Sequence, residues 1–240
     1  MERFRKTNRR HFGSWYKIVT MTTDLSKALT FIRHHQDGEI AEKIRNSGLN
    51  YNMNYGVSSL LLVNFANKIG RNQELADQLW KENFREAKLL SFMVADFEQI
   101  SDEKIEEYLA GCNNNEMVEI AVMNLFSKRD NALSLAKNWI RRNSNFEKMA
   151  GYLTIARLTM QQRFGDENDL HDIFISFEKD VCTTDYFVFQ SIEKAFQELA
   201  FRRKDLKDAI IEKTKYICAN NKEGKFELQL QELVQTLEYC

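Results

Sequence analysis

The sequence predicts an all-α protein, folded as an α-solenoid: a superhelix of antiparallel helix pairs. Its 240 residues include no proline, the residue that helix interiors exclude most strongly because it lacks the N–H and clashes with the preceding turn. Apolar residues recur at helical spacing through most of the chain, which indicates amphipathic helices. Glycines such as Gly70 and Gly111 fall between apolar runs, where helices end. Short helices joined by tight turns form pairs, and stacked pairs form a solenoid.

The individual helices follow from this periodicity. The stripe at i, i+3, i+4, i+7 and i+8 is clearest in Ala132, Leu135, Ala136, Trp139 and Ile140. Ser144 and Glu147 have the spacing of a capping box at the start of the next helix. The predicted helices cover 24–45, 57–69, 72–82, 84–96, 102–110, 115–127, 131–142, 145–162, 167–179, 185–201, 204–219 and 225–238. The stretches 173–175 and 187–189 are strand-like in composition, but their helical surroundings predict helix.

The sequence contains no signature of a metal site and no signature of a membrane-spanning segment. The four cysteines match no zinc or disulfide spacing, so we expect reduced thiols in a cytoplasmic protein without a metal or another cofactor. The histidines form no ligand set, since the neighbours His34 and His35 would point about 100° apart on a helix. No apolar run reaches the length needed to span a membrane.

Charge is spread unevenly along the chain. Residues 1–20 hold six basic residues against one acidic residue, although the whole chain has a net charge of −1. This segment is interpreted as a flexible arm or an upstream extension, with Met21 as the true start, or as a basic arm that binds nucleic acid. Residues 21–240 are predicted to form a single helical-repeat domain.

A basic stretch lies in the middle of the chain, from residue 128 to 163, with eight basic residues against two acidic ones. Such a cluster suits a phosphate backbone, because counterion release supplies much of non-specific DNA affinity. Cations near helix ends are also common for dipole reasons, so ordinary surface charge is the alternative. The candidate DNA-binding residues are Lys128, Arg129, Arg141, Arg142, Lys148 and Arg157.

Several short motifs occur in a characteristic order. They are Tyr55-Gly56-Val57, Leu79-Trp80, Phe84 to Leu90, Asn124-Leu125-Phe126, and Phe146 to Tyr152 after Ala136 and Trp139. Together they resemble the DNA alkylation repair family. These AlkD-like proteins are built from helical repeats of the HEAT type, which is similar to the ARM type. The resemblance implies an α-solenoid that holds duplex DNA, alkylated or not, in a basic concave groove. It also implies removal of positively charged N3- and N7-alkylated purines without a metal.

The family's activity uses a Trp, an Asp four residues later, an Arg and a later Trp. Counted from the nearest motifs, these roles fall on Asn115, Glu119, Met149 (with Lys148 beside it) and Lys194. Glu119 keeps the chemistry of its role, because a carboxylate stabilises the positive charge that builds on the sugar. Asn115, Met149 and Lys194 replace the family's residue types. Glu119 is therefore the candidate catalytic residue, the alternative being a solvated helix carboxylate in an acidic region.

Two functions remain open from the sequence. The first is a DNA-binding protein of the alkylation repair family, with or without alkylpurine glycosylase activity at an altered site. The second is a non-catalytic helical-repeat scaffold that binds a protein partner on the same surface. The replaced aromatic residues and the acidic composition outside the two basic segments favour the second.

Overall fold

A computed structural model describes residues 24–49, 51–180, 185–220 and 227–239. Within these ranges all regular secondary structure is helical, which confirms the predicted fold class. The chain divides into two compact units, one ending at Ile100 and the other beginning at Ser101. The basic arm predicted at 1–20 lies outside the described residues. The assignment of 21–240 to one domain stays a prediction.

The first unit contains five described helices, which follow the chain as α1 to α5. Their bounds are 24–34, Gly38–Asn46, Ser59–Ile69, Gln73–Lys81 and Arg85–Val94. The single helix predicted over 24–45 is wrong, because Asp37 interrupts it. The Asp37 side chain accepts hydrogen bonds from the N–H groups of Glu39 and Ile40, and so caps a new helix.

Helices α6 to α13 form the described part of the second unit. They are Asp102–Ala110, Asn115–Asn124, Ala132–Trp139, Asn145–Met160, Glu167–Asp180, Tyr186–Arg202, Lys207–Asn220 and Glu227–Tyr239, with a 3-10 turn at Phe126–Lys128 after α7. The strand-like stretches 173–175 and 187–189 lie inside α10 and α11 and are helical, as predicted. The predicted capping box is wrong: Ser144 is the N-cap of α9 without a side-chain capping bond, and Glu147 pairs with Arg142 instead.

A buried ion pair holds the first unit together. Glu86 is fully buried and Arg85 is 3 % exposed. The Glu86 carboxylate accepts hydrogen bonds from the N–H groups of Tyr55 and Val57, and Arg85 donates to the Val57 carbonyl and to Glu86. The pair thus fixes the loop before α3, which passes α2 so closely that a Cβ on Gly56 would lie 2.0 Å from the Asp37 carbonyl oxygen. Gly56 also has a φ of 73°, which favours glycine.

The second unit is built as two layers of helices. Helices α7, α9, α11 and α13, called the odd layer below, pack side by side. Helices α6, α8, α10 and α12, the even layer, are joined by polar contacts such as Arg142 to Glu106 at 2.6 Å, Lys137 to Asp169 at 2.7 Å and Lys213 to Glu178 at 3.6 Å. Each of these partners is 32 to 36 residues away in sequence. The even layer is therefore linked from one helix pair to the next.

Helix α9 lies at the centre of the second unit, packed against α6, α7, α8 and α11. Nine of its sixteen residues are buried, so it is apolar nearly all round, as its sequence indicates. Gly151 allows the approach of α8: a Cβ at this position would lie 2.5 Å from Ile140 Cγ2 and 2.8 Å from the Ala136 carbonyl oxygen. The close packing compensates for the low helix propensity of glycine.

The predicted apolar stripe of α8 is confirmed, with all five of its residues buried. Trp139 is fully buried and donates its indole N–H to Glu106 at 3.0 Å. Glu106 also accepts from Arg142. Burial by itself would raise the pKa of Glu106, but the hydrogen bonds from Arg142 and Trp139 and the charge of Arg142 together outweigh it and lower the pKa. The network anchors α8 to α6.

None of the helices in the described ranges combines the length and the apolar composition that a membrane span requires.

Replacing Glu86 by glutamine should destabilise the first unit by about 3 kcal/mol, because it leaves a buried guanidinium without its counter-charge. The loss is measured as a lower urea midpoint for unfolding. Glu74→Gln, an exposed change on α4, is the matched control and should leave the midpoint unchanged. Equal midpoints for wild type and Glu86→Gln would show that the pair is dispensable.

Candidate functional site

A cleft with a volume of about 520 Å³ opens on the odd layer of the second unit. It is lined by side chains of α7, α9 and α11. Three of the four predicted site positions, Glu119, Met149 and Lys194, lie together in this lining. Asn115, the fourth, is the first residue of α7, one turn before Glu119 and outside the lining. Residues spread over 80 positions of the sequence thus meet at one site.

Helical spacing explains how each helix contributes to the cleft. Helix α9 presents Met149, Leu153 and Arg157, which are four residues apart and lie on one face. The first residue of α9, Asn145, donates to Asp185, the N-cap of α11, at 2.8 Å. The N-terminal ends of α9 and α11 therefore adjoin, and the two helices run side by side in the same direction. The cleft follows the shared length of the two helices.

The charges in the cleft are mixed. Three carboxylates, Glu119, Glu193 and Glu198, face two cations, Arg157 and Lys194. Partial burial raises the pKa of Glu119, an effect that Lys194 opposes and Glu116 strengthens. Glu193 also has a raised pKa, because of burial and then of Glu232. The cleft thus disfavours the charged form of Glu119 and of Glu193.

Arg157 differs from the other cations of the second unit. Its Nε is buried and has no hydrogen-bond partner among the described residues. A buried donor without an acceptor costs about 1–3 kcal/mol, a cost that an anionic ligand in the cleft would remove. Of the six predicted DNA-binding residues, Arg157 is the one that lines this cleft.

The other predicted DNA-binding residues are not brought together. Four of them form ion pairs: Arg129 with Asp102 at 2.6 Å, Arg141 with Asp172 at 3.3 Å, Arg142 with Glu106 and Glu147 at 2.6 and 3.0 Å, and Lys148 with Asp180 at 2.5 Å. Lys128 is exposed at the end of the 3-10 turn. The basic stretch of the sequence is thus largely neutralised by carboxylates of neighbouring helix pairs.

Phe187 is a cleft residue that the sequence analysis did not single out. Its ring lines the cleft and is 44 % exposed. It precedes Lys194, the position to which the motif resemblance assigns the family's later Trp, by two helical turns on α11. The sequence offers only the seven-residue spacing from Lys194, which places both residues on one helical face, because the exposure of Phe187 depends on the fold. Within the described ranges, no group of three or more His, Cys, Asp or Glu residues could hold a metal ion.

Helix pairs stacked in two layers, with a charged cleft on one layer, define a helical-repeat protein of the HEAT-like class. A solved structure shares this fold with a TM-score of 0.71 at 18 % identity, and the match covers 80 % of this chain and 83 % of the other. That protein is described as one of a new family related to the HEAT-like repeat DNA glycosylases, with affinity for branched DNA structures.

The sequence matches the family of the DNA alkylation repair enzyme over residues 28–225. The chain belongs to this family, which confirms the resemblance found in its motifs. No curated protein matches the chain significantly.

Glu119→Gln should raise the free energy of unfolding at pH 7, by less than about 1 kcal/mol because the side chain keeps contact with solvent. Its raised pKa means that the ionised carboxylate costs stability at neutral pH. That cost disappears as the pH falls below about 4, where the group is protonated in both folded and unfolded states. Urea midpoints at several pH values measure the difference, with exposed Glu212→Gln as control. A gain that persists at the lowest pH would contradict this origin.

Proposed function

We propose that this protein binds DNA, in duplex and branched forms, on the odd layer of its second unit around the cleft. Membership of the DNA alkylation repair family supports DNA as the partner. The shared fold with a protein whose family has affinity for branched DNA supports the inclusion of branched forms.

The observation that carries this proposal is the buried, unsatisfied Nε of Arg157 in the cleft. A phosphate oxygen is a strong acceptor for a guanidinium and would give a charge-assisted hydrogen bond. Lys194, exposed in the same cleft, adds a second cation within the lining. Arg157 and Lys194 are therefore the proposed phosphate contacts.

The paired cations have a different role in this proposal. Arg142 makes three hydrogen bonds to Glu106 and Glu147, and Lys148 shares Asp180 with the buried hydroxyl of Tyr152. Breaking such contacts to bind phosphate would leave partly buried carboxylates unpaired, which costs free energy. Arg129, Arg142 and Lys148 therefore act mainly in holding helices together, and DNA is held by fewer phosphate contacts than the sequence indicates.

A second candidate function is release of a cationic alkylated base, and the position of Glu119 favours it. Glu119 lies in the cleft with Met149 and Lys194, the positions to which the motif resemblance assigns roles of the family's site. Carboxylates repel phosphates but attract a positively charged base or the positive charge of a breaking glycosidic bond. The exposed ring of Phe187 offers an aromatic face for such a base.

Arg157→Gln should weaken binding to a fluorescent duplex about five-fold at 50 mM salt, and should reduce the slope of log affinity against log salt by about one, as expected for the loss of one phosphate contact. Lys179→Gln, an exposed change on α10, is the control with the same loss of charge and should bind like the wild type. Similar losses of affinity in both variants would show that the weaker binding comes from the lower net charge and not from a contact made by Arg157. No binding by the wild type at low salt would favour the protein-binding scaffold.

If the cleft is catalytic, the wild-type protein should release 7-methylguanine or 3-methyladenine from methylated DNA, and Glu119→Gln should reduce the rate at least 100-fold because the developing charge loses its carboxylate. The variant should bind the same DNA as tightly or more tightly, since a negative charge is removed from the cleft. Chromatography of released bases measures the reaction. Equal yields from both proteins would exclude Glu119 as the catalyst.

A further inference from the structure

Phe201 presents an exposed aromatic ring at the C-terminal end of α11. It lies in the last turn of this helix and is 54 % exposed. Burial of a phenyl ring contributes about 1.5–3 kcal/mol to stability. An exposed ring does not make this contribution to the free energy of folding. The position lies seven residues after Lys194, about 10 Å along the helix.

Two hollows adjoin this ring. The smaller, about 280 Å³, is lined by Phe201 and Arg202 together with Gln197, Glu198 and Thr236. The larger, about 610 Å³, is lined by Phe201 and Arg202 together with Thr159, Gln162, Phe164, Gly165 and Arg203. Phe201 therefore stands as a ridge between two spaces, each next to a guanidinium. Gln197 and Glu198 also line the cleft, so the smaller hollow continues the cleft along α11.

The charge around Phe201 has the opposite sign to that of the cleft. Residues 198–205 contain three basic and two acidic residues. Arg202 Cζ lies 5.7 Å and Lys204 Nζ 5.4 Å from the centre of the Phe201 ring, within the range of cation–π contacts. Arg202 donates to Glu198 at 2.7 Å, and Arg203 is held in place by the Gly165 carbonyl and by Asp205. An aromatic ring flanked by cations is the combination that binds a base together with its phosphates.

We propose that Phe201 is a stacking platform for the unstacked base at a DNA branch point, with Lys204 contacting the adjacent phosphate. This inference rests on the proposed DNA binding. The spacing of about 10 Å between Phe201 and Lys194 corresponds to about three stacked nucleotides of one strand. A single strand leaving a junction can thus reach the cleft and the ring together. A continuous duplex offers no unstacked base to the ring, so Phe201 contributes to branched DNA alone.

The test compares a three-way junction with a linear duplex of the same strand length in fluorescence anisotropy at 50 mM salt. Phe201→Ala should weaken junction binding at least five-fold, since base–aromatic stacking contributes on this scale in alanine substitutions. Its duplex affinity should equal that of the wild type. Phe201→Trp should restore junction binding, because it keeps an aromatic face.

Tyr216→Ala is the matched control. Tyr216 is 57 % exposed on α12, in the even layer, with Lys213 Nζ 5.0 Å from its ring centre. This variant should bind both DNA forms like the wild type. A 2-aminopurine at the branch point provides a second measurement: its fluorescence should change on binding of wild type and Tyr216→Ala, and not on binding of Phe201→Ala.

The outcomes separate the two proposals. If Phe201→Ala binds the junction as well as the wild type does, the stacking platform is overturned while DNA binding stands. The same holds if Tyr216→Ala loses as much junction affinity as Phe201→Ala. An equal loss of duplex and junction affinity in Phe201→Ala also overturns it. If the wild type binds neither DNA form, the proposed function fails and the platform with it.

Discussion

The close approach of α8 and α9 at Gly151 is the constraint on which the second unit depends. Any side chain at this position would collide with Ile140 and with the Ala136 carbonyl, and α9 would be pushed out of the centre. From that centre α9 sends Met149, Leu153 and Arg157 into the cleft, while α7 and α11 pack on either side. The site therefore exists because a backbone position in the core has no side chain. Gly151 belongs to a motif that carries the family resemblance, and its role is architectural.

Charge pairing between successive helix pairs decides which cations remain for a ligand. The carboxylates of Glu106 and Asp180 accept from cations 36 and 32 residues away in sequence, one on the preceding pair and one on the following pair. The Glu106 pair lies in the even layer and the Asp180 pair joins α9 to α10, so both connect successive helix pairs, in the way that a repeat protein is stabilised by interfaces between neighbouring repeats. Arg157 faces the cleft, away from these contacts. The same pairing that stabilises the fold thus concentrates binding capacity on the odd layer.

The positions of the helices could be predicted from the sequence, but the ion pairs that the basic residues form could not. Periodicity is local, so the stripe of α8 and the bounds of most helices could be predicted within a few residues. The break at Asp37 was missed because a capping side chain competes with helix continuation over only three residues. The partners of Arg142 and Lys148 lie about one helix pair away and cannot be found without the fold. Glu119, Met149 and Lys194 were placed through motifs, and the structure brings them together. Phe187 and Phe201 were missed because their exposure depends on neighbouring helices.

The neutralised even layer has a consequence for how this protein would meet its partner. Electrostatic steering needs an unbalanced field that extends beyond contact distance, and cations matched to carboxylates a few ångströms away produce little field at that range. The described part of the second unit contains 23 acidic and 17 basic residues, so its remaining long-range field would repel DNA rather than steer it, and the unit would slide poorly along a regular duplex. Selectivity would then arise after encounter, from the shape of the DNA. Under the proposed DNA binding, this unit would be suited to rare structural features rather than to long uninterrupted duplex.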